Sequence, residues 1–170
     1  LDAEERGQAE AIAWNLREMA SLRTPVVVTV TGEGGSGGAL ALGVSDRIVM
    51  LQHAIYSVIT PEGCAAILWK DQSKVKEAAD ALKLTAKHLM ELGVIDRIIP
   101  EPPGGAHRDP AATAETLGRA IYEEVKYLQR QSPKALLERR LQKYMNMGSF
   151  EQESPSPPAF SNVRSLTGYS

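Results

Sequence analysis

The sequence has a single cysteine, few aromatic residues and no long apolar run. Cys64 stands alone among 170 residues, which excludes an intrachain disulfide and a zinc site built only from cysteines. No apolar stretch approaches the length of about 20 residues that a membrane-spanning helix needs, so no membrane span is expected. These features predict a soluble protein of a reducing compartment.

An excess of charge of one sign is also lacking. Lys and Arg number 19 and Asp and Glu number 21, so the formal net charge is -2. Basic residues cluster only in short pairs such as Arg139-Arg140, so we expect no nucleic-acid partner. The three histidines, His53, His88 and His107, show no metal-ligand spacing, and no metal site is expected on this chain.

The most informative segment is a glycine-rich run that follows an apolar, β-branched one. Residues 26–31 predict a strand buried on both faces, and five of the seven residues from Gly32 to Gly38 are glycine. A strand that leads through such a turn into a helix leaves backbone N–H groups unpaired and unshielded by any Cβ. These donors suit an oxygen on which negative charge develops. The segment therefore predicts main-chain stabilisation of an oxyanion.

The rest of the chain alternates predicted strands and helices, which indicates an α/β fold with right-handed crossovers. Strands are expected at 26–31, 47–51, 54–59 and 94–99, and helices at 3–21, 38–42, from Thr60 onward, 75–82, 86–92, 111–130 and 134–145. The pairs Thr60-Pro61, Asp109-Pro110 and Ser132-Pro133 each predict an N-cap followed by proline at a helix start. Residues 148–170 are rich in serine and proline and predict a disordered tail, which leaves 1–147 as the domain.

Dinucleotide binding is the rival interpretation of the glycine run. The segment from Gly32 to Gly37 fits the pattern G-x-G-x-x-G loosely. About 20 residues further on, however, His53 and Tyr56 stand where an acidic ribose-binding residue is expected. No Lys-Ser/Thr pair follows that would indicate a P-loop. The context therefore does not favour a nucleotide site.

Four blocks of sequence, in order, resemble a known family. They are Ala3-Glu4-Glu5-Arg6-Gly7-Gln8, the segment from Gly32 to Leu40, the segment from Tyr56 to Ala65, and the segment from Ile95 to Arg108. Together they resemble the α subunit of the carboxyltransferase component of acetyl-CoA carboxylase, in the multisubunit form of bacteria and plastids. The chain is similar to the C-terminal half of that subunit, because the family's long preceding segment has no counterpart here.

The resemblance implies a crotonase-like fold, here part of a crotonase/ClpP-like spiral of ββα units with C-terminal helices. It implies the carboxyltransferase half-reaction, in which CO2 passes from carboxybiotin to acetyl-CoA and gives malonyl-CoA for fatty acid synthesis. Negative charge then develops on the thioester oxygen and on the ureido oxygen of biotin, so two oxyanion holes are expected. By the resemblance, the backbone N–H groups of Gly37 and Gly38 are the catalytic donors.

The resemblance also indicates residues around these donors. Gly34 and Gly35 are expected to shape the turn or to supply a donor, and Ala39 follows directly in the substrate site. Gly63, at the start of the next helix, is expected to supply a companion N–H, with Glu62 beside it.

The implied cofactor is biotin, carried by a partner protein. The implied partners are acetyl-CoA or malonyl-CoA, the carboxyltransferase β subunit and the biotin carboxyl carrier protein, within an α2β2 assembly of an ATP-binding complex. The implied location is the bacterial cytoplasm or the plastid stroma.

Two other functions stay open. A stand-alone acyl-CoA hydratase or isomerase would need a carboxylate pair, for which only Glu33 and Glu62 are candidates. An inactive fragment that acts only through partner binding is the other, because the N-terminal half is expected to be missing.

Overall fold

Residues 2–148 are described by the structure, a computed structural model, and they form five strands and eight α-helices. The strands are β1 (Val27–Val30), β2 (Glu33–Gly35), β3 (Arg47–Leu51), β4 (Ile55–Ser57) and β5 (Arg97–Ile99). The helices are α1 (Asp2–Glu5), α2 (Gln8–Ser21), α3 (Ser36–Gly43), α4 (Pro61–Leu68), α5 (Val75–Leu82), α6 (Ala86–Glu91), α7 (Pro110–Leu128) and α8 (Pro133–Met145). The predicted tail lies outside the described residues, apart from Gly148.

The strands form two parallel sheets. One has the order β1-β3-β5, with Val27 opposite Arg47 and Val49 opposite Arg97, and the other pairs β2 with β4. Consecutive strands therefore fall in different sheets: β1 and β2 precede α3, and β3 and β4 precede α4. This succession confirms the predicted ββα units.

Strand β2 differs from the sequence prediction, which places an unbroken turn between residue 31 and α3. In the structure Glu33–Gly35 pairs with Ile55–Ser57, so that Gly34 lies opposite Tyr56. Glycine has a low β propensity, and the pairing depends on a neighbouring strand that is distant in sequence. The open donors are therefore confined to the residues that follow β2.

Helix starts follow the predicted caps. The side chains of Thr60, Asp109 and Ser132 accept hydrogen bonds from the backbone N–H groups of Gly63, Ala112 and Ala135, at 3.1, 3.0 and 3.2 Å. Each of these caps precedes a proline at the first helical position, where the missing N–H costs nothing.

The core surrounds the central strand β3. Residues 48–51 are each at most 3% exposed and pack with Val30, Leu89, Ile99 and Ala120 from the neighbouring strands and helices. Helix α2 behaves differently, because none of its residues is buried and Trp14 is 60% exposed. Its apolar residues Ile12, Leu16 and Met19, which recur at helical spacing, are only half-buried by the described residues.

Arg140 on α8 connects this helix to the end of α2 and to the residue before β3. Its guanidinium, 2% exposed, binds the Asp46 carboxylate with Nε to Oδ1 at 2.9 Å and Nη2 to Oδ2 at 2.8 Å. It also donates to the backbone carbonyls of Met19, Leu22 and Thr24 at 2.9 to 3.0 Å, where α2 ends and leads to β1. A single buried side chain therefore fixes α2, β3 and α8 to one another.

Replacing Arg140 should be strongly destabilising. Arg140→Met would leave the Asp46 carboxylate buried without its counter-ion, and we expect the free energy of unfolding to fall by about 3–5 kcal/mol. Urea unfolding of the chain measures the change. Arg139→Met is the matched control, since Arg139 is exposed and its hydrogen bond and ring contact within the described residues are to Tyr127. Its loss should stay below about 1 kcal/mol. Equal losses for the two variants would contradict this role of Arg140.

Candidate functional site

The candidate site is the junction between β2 and α3. Gly35 is the N-cap of α3 and has no side chain with which to cap the helix. Ser36 follows with a φ of 57°, in the left-handed region that residues other than glycine rarely adopt. A left-handed residue followed by helical ones turns successive N–H groups toward one concave surface that suits anions. Sequence reasoning missed this role of Ser36, since serine carries no signal for a positive φ.

The first turn of α3 supplies the predicted donors. Gly37 and Gly38 follow Ser36 there, where N–H groups have no acceptor within the helix. A Cβ placed on Gly38 would meet no heavy atom within 4 Å, so this backbone is open to an approaching molecule. A Cβ on Gly37 would lie 3.1 Å from Cδ1 of Ile12, so α2 covers this glycine.

Two open clefts meet at this turn. The first, of about 510 Å³, runs along the free edge of β1 and is lined by residues 28–32, Gly34, Gly35, Gly38 and Ala39 among others. The second, of about 440 Å³, contains Ser36 and Gly37 and is otherwise largely apolar, with Leu40, Val58, Leu82, Leu89, Leu92 and Val94. Four of the predicted site residues, Gly34, Gly35, Gly38 and Ala39, thus share one cleft, while Gly37 lines the other.

Gly63 and Glu62 are not brought into these clefts. The N–H of Gly63 already donates to Oγ1 of Thr60, so the expected companion donor is engaged by its own helix cap. Neither Gly63 nor Glu62 lines either cleft, and Glu62 is exposed in the first turn of α4. In this structure the N-cap that Thr60 provides engages the N–H of Gly63, and the role of Gly63 as a companion donor stays a prediction.

Other candidate side chains lie apart from the donors. Cys64 is 8% exposed and packs with Ala65 and Ala78, as a small structural apolar group would. His53 is exposed, and its backbone N–H donates to the Glu101 carboxylate at 2.8 Å. Neither side chain reaches the first turn of α3.

Hydrogen bonds from two other helices hold the C-terminal half of helix α3. Asn15 on α2 donates to the Ala41 carbonyl, and the hydroxyl of Tyr144 on α8 donates to the Gly43 carbonyl at 2.8 Å. Tyr144 also accepts from the backbone N–H of Ser45 at 2.8 Å. Burial raises the pKa values of Tyr144 and of Tyr56, which lies beneath the helix, so both stay neutral as hydrogen-bond donors at ordinary pH.

Within the described part of the chain, no group of three or more His, Cys, Asp or Glu residues is arranged to hold a metal ion. No helix among these residues is both long and apolar enough to cross a bilayer.

Comparison with known proteins identifies the family. A sequence model described as acetyl co-enzyme A carboxylase carboxyltransferase-like matches residues 1–148. The chain belongs to this carboxyltransferase family. The match spans every element described above, including both clefts.

Two bacterial relatives of this chain share one name. The chain is 62% identical over 150 residues to a Geobacter sulfurreducens protein named acetyl-coenzyme A carboxylase carboxyl transferase subunit alpha. It is 57% identical over 149 residues to the protein of the same name from Pseudomonas paraeruginosa. Each alignment covers 88% of this chain and 47% of the relative. The chain therefore spans about half the length of the relatives that it matches.

Solved structures show the same fold at low sequence identity. A Pseudomonas malonate decarboxylase hetero-tetramer in complex with coenzyme A has a TM-score of 0.66 at 18% identity, covering 83% of this chain and 56% of that chain. Methylmalonyl-CoA decarboxylase has a TM-score of 0.51 at 13% identity, covering 83% and 53%. These neighbours are crotonase-fold proteins, which confirms the predicted fold class.

The left-handed conformation of Ser36 predicts how substitutions at this position change the stability of the chain. A non-glycine residue with this φ costs roughly 1–2 kcal/mol of strain in the folded state. Glycine removes that strain but also makes the unfolded chain more flexible, so Ser36→Gly should raise the free energy of unfolding by about 0.5–1 kcal/mol. Ser36→Val should destabilise it, because a β-branched residue tolerates a positive φ least. Thermal unfolding measures both variants.

Ser73→Gly is the control, since Ser73 is exposed and is not among the residues with a positive φ. It should be neutral or destabilising by up to about 1 kcal/mol. Stabilisation of the Ser73 variant to the same extent as the Ser36 variant would contradict the strain at Ser36.

Proposed function

We propose that this chain forms part of a carboxyltransferase that moves CO2 between a biotin group and acetyl-CoA, giving malonyl-CoA. The observation that carries the proposal is the open first turn of α3 in a chain of this family. There the N–H groups of Gly37 and Gly38 lack helical acceptors at the meeting point of two clefts. The names of the Geobacter and Pseudomonas relatives support the same activity.

The chemistry that the donors would supply is electrostatic. Removing a proton from the methyl group of acetyl-CoA puts negative charge on the thioester oxygen; the ureido nitrogen of biotin, once its bond to CO2 is broken, would accept that proton. N–H groups fixed at a helix N-terminus would stabilise the charge without reorganising. One such donor is typically worth about 10²–10³ in rate. This role needs no acidic or basic side chain of the chain itself.

Biotin, the implied cofactor, would be brought by a carrier protein and would supply the CO2. The first cleft offers an open surface at Gly38, where no side chain blocks the backbone, and the neutral, uncapped N–H suits a ureido oxygen. We propose Gly38 and Gly35, which also faces open space, as the residues that would contact it.

Partners are part of the proposal. Among the described strands, β1 pairs only with β3, and its residues 27–29 are half-buried although the segment is apolar and β-branched. An unpaired edge of this kind is normally covered. We propose that the rest of an α subunit covers this edge, and that the β subunit and the biotin carboxyl carrier protein complete an α2β2 assembly. The bacterial relatives favour the cytoplasm as its location.

A stand-alone hydratase or isomerase finds less support. Its carboxylate pair would be Glu33 and Glu62, but Glu33 lines the first cleft whereas Glu62 does not. The family match also favours carboxyl transfer over hydration.

A chimera would test the activity. Residues 2–148 would replace the corresponding segment of the Geobacter sulfurreducens relative, and the product would be combined with that organism's β subunit. We expect biotin-dependent decarboxylation of malonyl-CoA by the chimera, and none by the chain alone, because the chain alone leaves β1 uncovered. Light scattering of both samples reports their size.

Two outcomes would count against the proposal. A chimera that assembles with the β subunit but turns over no malonyl-CoA would contradict the carboxyltransferase function. A monodisperse monomer of this chain that turns over malonyl-CoA unaided would contradict the need for partners.

Gly38→Val in the chimera tests the oxyanion role directly. A Cβ at position 38 meets no heavy atom within 4 Å outside its own helix, so a valine side chain has room to cover the N–H surface. We therefore expect turnover to fall by about 10²-fold or more with assembly intact. Gly118→Val is the matched control, since Gly118 lies in α7 and also faces open space. Retention of more than about a tenth of the original rate by the Gly38 variant would remove Gly38 from the mechanism.

A further inference from the structure

We infer that Tyr56 on β4 is a positioning residue that fixes the first turn of α3 between the two clefts. The inference rests on the proposed function for its effect on turnover, whereas its structural part stands independently. Tyr56 is half-buried, and it lines both the cleft that contains Gly38 and the cleft that contains Gly37. Its ring is therefore the wall that the two clefts share.

The aromatic ring of Tyr56 lies where a side chain on Gly34 would be, just before helix α3 begins. Gly34 lies opposite Tyr56 in the β2-β4 pair, and a Cβ on Gly34 would lie 2.7 Å from Cδ2 of the ring. Real Cβ atoms do not approach so closely, so only glycine allows the aromatic ring to pack on this backbone. The ring therefore packs directly on the backbone of β2, just before α3 begins.

The hydroxyl group makes a second close approach at the other end of the helix. A Cβ on Gly43, the last residue of α3, would lie 2.5 Å from Oη of Tyr56. The hydroxyl also lies 3.5 Å from the Ala39 carbonyl, to which it donates. One side chain therefore spans the helix from the residue before its N-cap to its C-terminus.

These contacts give a packing reason for two glycines, Gly34 and Gly43. Gly34 and Gly43 make room for Tyr56, whereas Gly38 faces open space. Gly34 and Gly43 thus admit the tyrosine and Gly37 lies against Ile12, whereas Gly38 leaves the backbone open. Since small displacements of reacting groups are costly, about 10²-fold for 1 Å, a shift of Tyr56 should be felt at the donors.

A double-mutant cycle between Gly43 and Tyr56 tests this role in the chimera. Gly43→Ala places a methyl group against the hydroxyl, and we expect kcat to fall by about 10- to 100-fold while KM for malonyl-CoA changes by less than about 3-fold. Tyr56→Phe removes the hydroxyl and should lower kcat by about 2- to 3-fold, through loss of a single weak hydrogen bond. The double variant should recover to within about 3-fold of Tyr56→Phe, because the methyl group then has room.

Hydrogen exchange of the 170-residue chain supplies a readout that does not depend on activity. Amides of α3 should exchange at least about 10-fold faster in Gly43→Ala and in Tyr56→Leu, and should return toward the original rate in the Gly43→Ala/Tyr56→Phe double variant. Amides of α7 serve as the internal reference, since unfolding of the whole chain would accelerate them too. Exchange of the α3 amides in Gly118→Ala is the control, since a Cβ on Gly118 meets no heavy atom within 4 Å outside its own helix.

The outcomes separate this inference from the proposed function. An inactive wild-type chimera together with the expected exchange pattern would reject the carboxyltransferase function and keep the role of Tyr56 in placing α3. A double variant no better than Gly43→Ala in exchange would overturn the inference, as would unchanged α3 exchange in Tyr56→Leu. Equal acceleration of α7 and α3 would show a general structural role and would also overturn it.

Discussion

The structure depends on one constraint: other elements must hold helix α3 in place while the N–H groups of its first turn keep no acceptor within the protein. The N–H groups of a first helical turn carry partial positive charge, and they remain available only if no side chain or neighbouring strand accepts from them. Accordingly the contacts that hold α3 come from elsewhere, from Asn15 on α2, Tyr144 on α8 and Tyr56 on β4. The glycine N-cap, Gly35, leaves the turn itself uncapped.

The contacts at the far end of α3 connect this helix to the most buried ion pair in the described structure. Tyr144 contacts Gly43 and Ser45, and the next residue, Asp46, pairs with Arg140. Both Tyr144 and Arg140 lie on α8, more than ninety residues later in the chain. Helix α8 thus holds the C-terminal end of α3 in place. Changes in α8 should therefore affect the candidate site through the contact of Tyr144 with Gly43.

Local signals in the sequence predicted most of the elements. Capping side chains followed by proline located the starts of α4, α7 and α8, and β-branched runs located β1 and β3, because these preferences act between near neighbours. Gly38 could likewise be selected as an open donor, since clustered glycines after a strand signal exposed backbone. The sequence did not predict strand β2, because β2 pairs with a strand that is distant in the chain. Nor did it predict that the N–H of Gly63 donates to Thr60, because one N–H can serve either a helix cap or a ligand.

By itself the sequence determined the fold class, the family resemblance and the location of the bare helical turn, since each rests on short-range pattern. Only the tertiary structure decided that Gly37 and Gly38 lie in different clefts, that Ser36 turns the chain with a positive φ, and that Tyr56 separates the two spaces. Those features depend on which residues meet across β2 and β4 or across α2 and α3. Such meetings are set by packing of segments far apart in the chain, and no local preference encodes them.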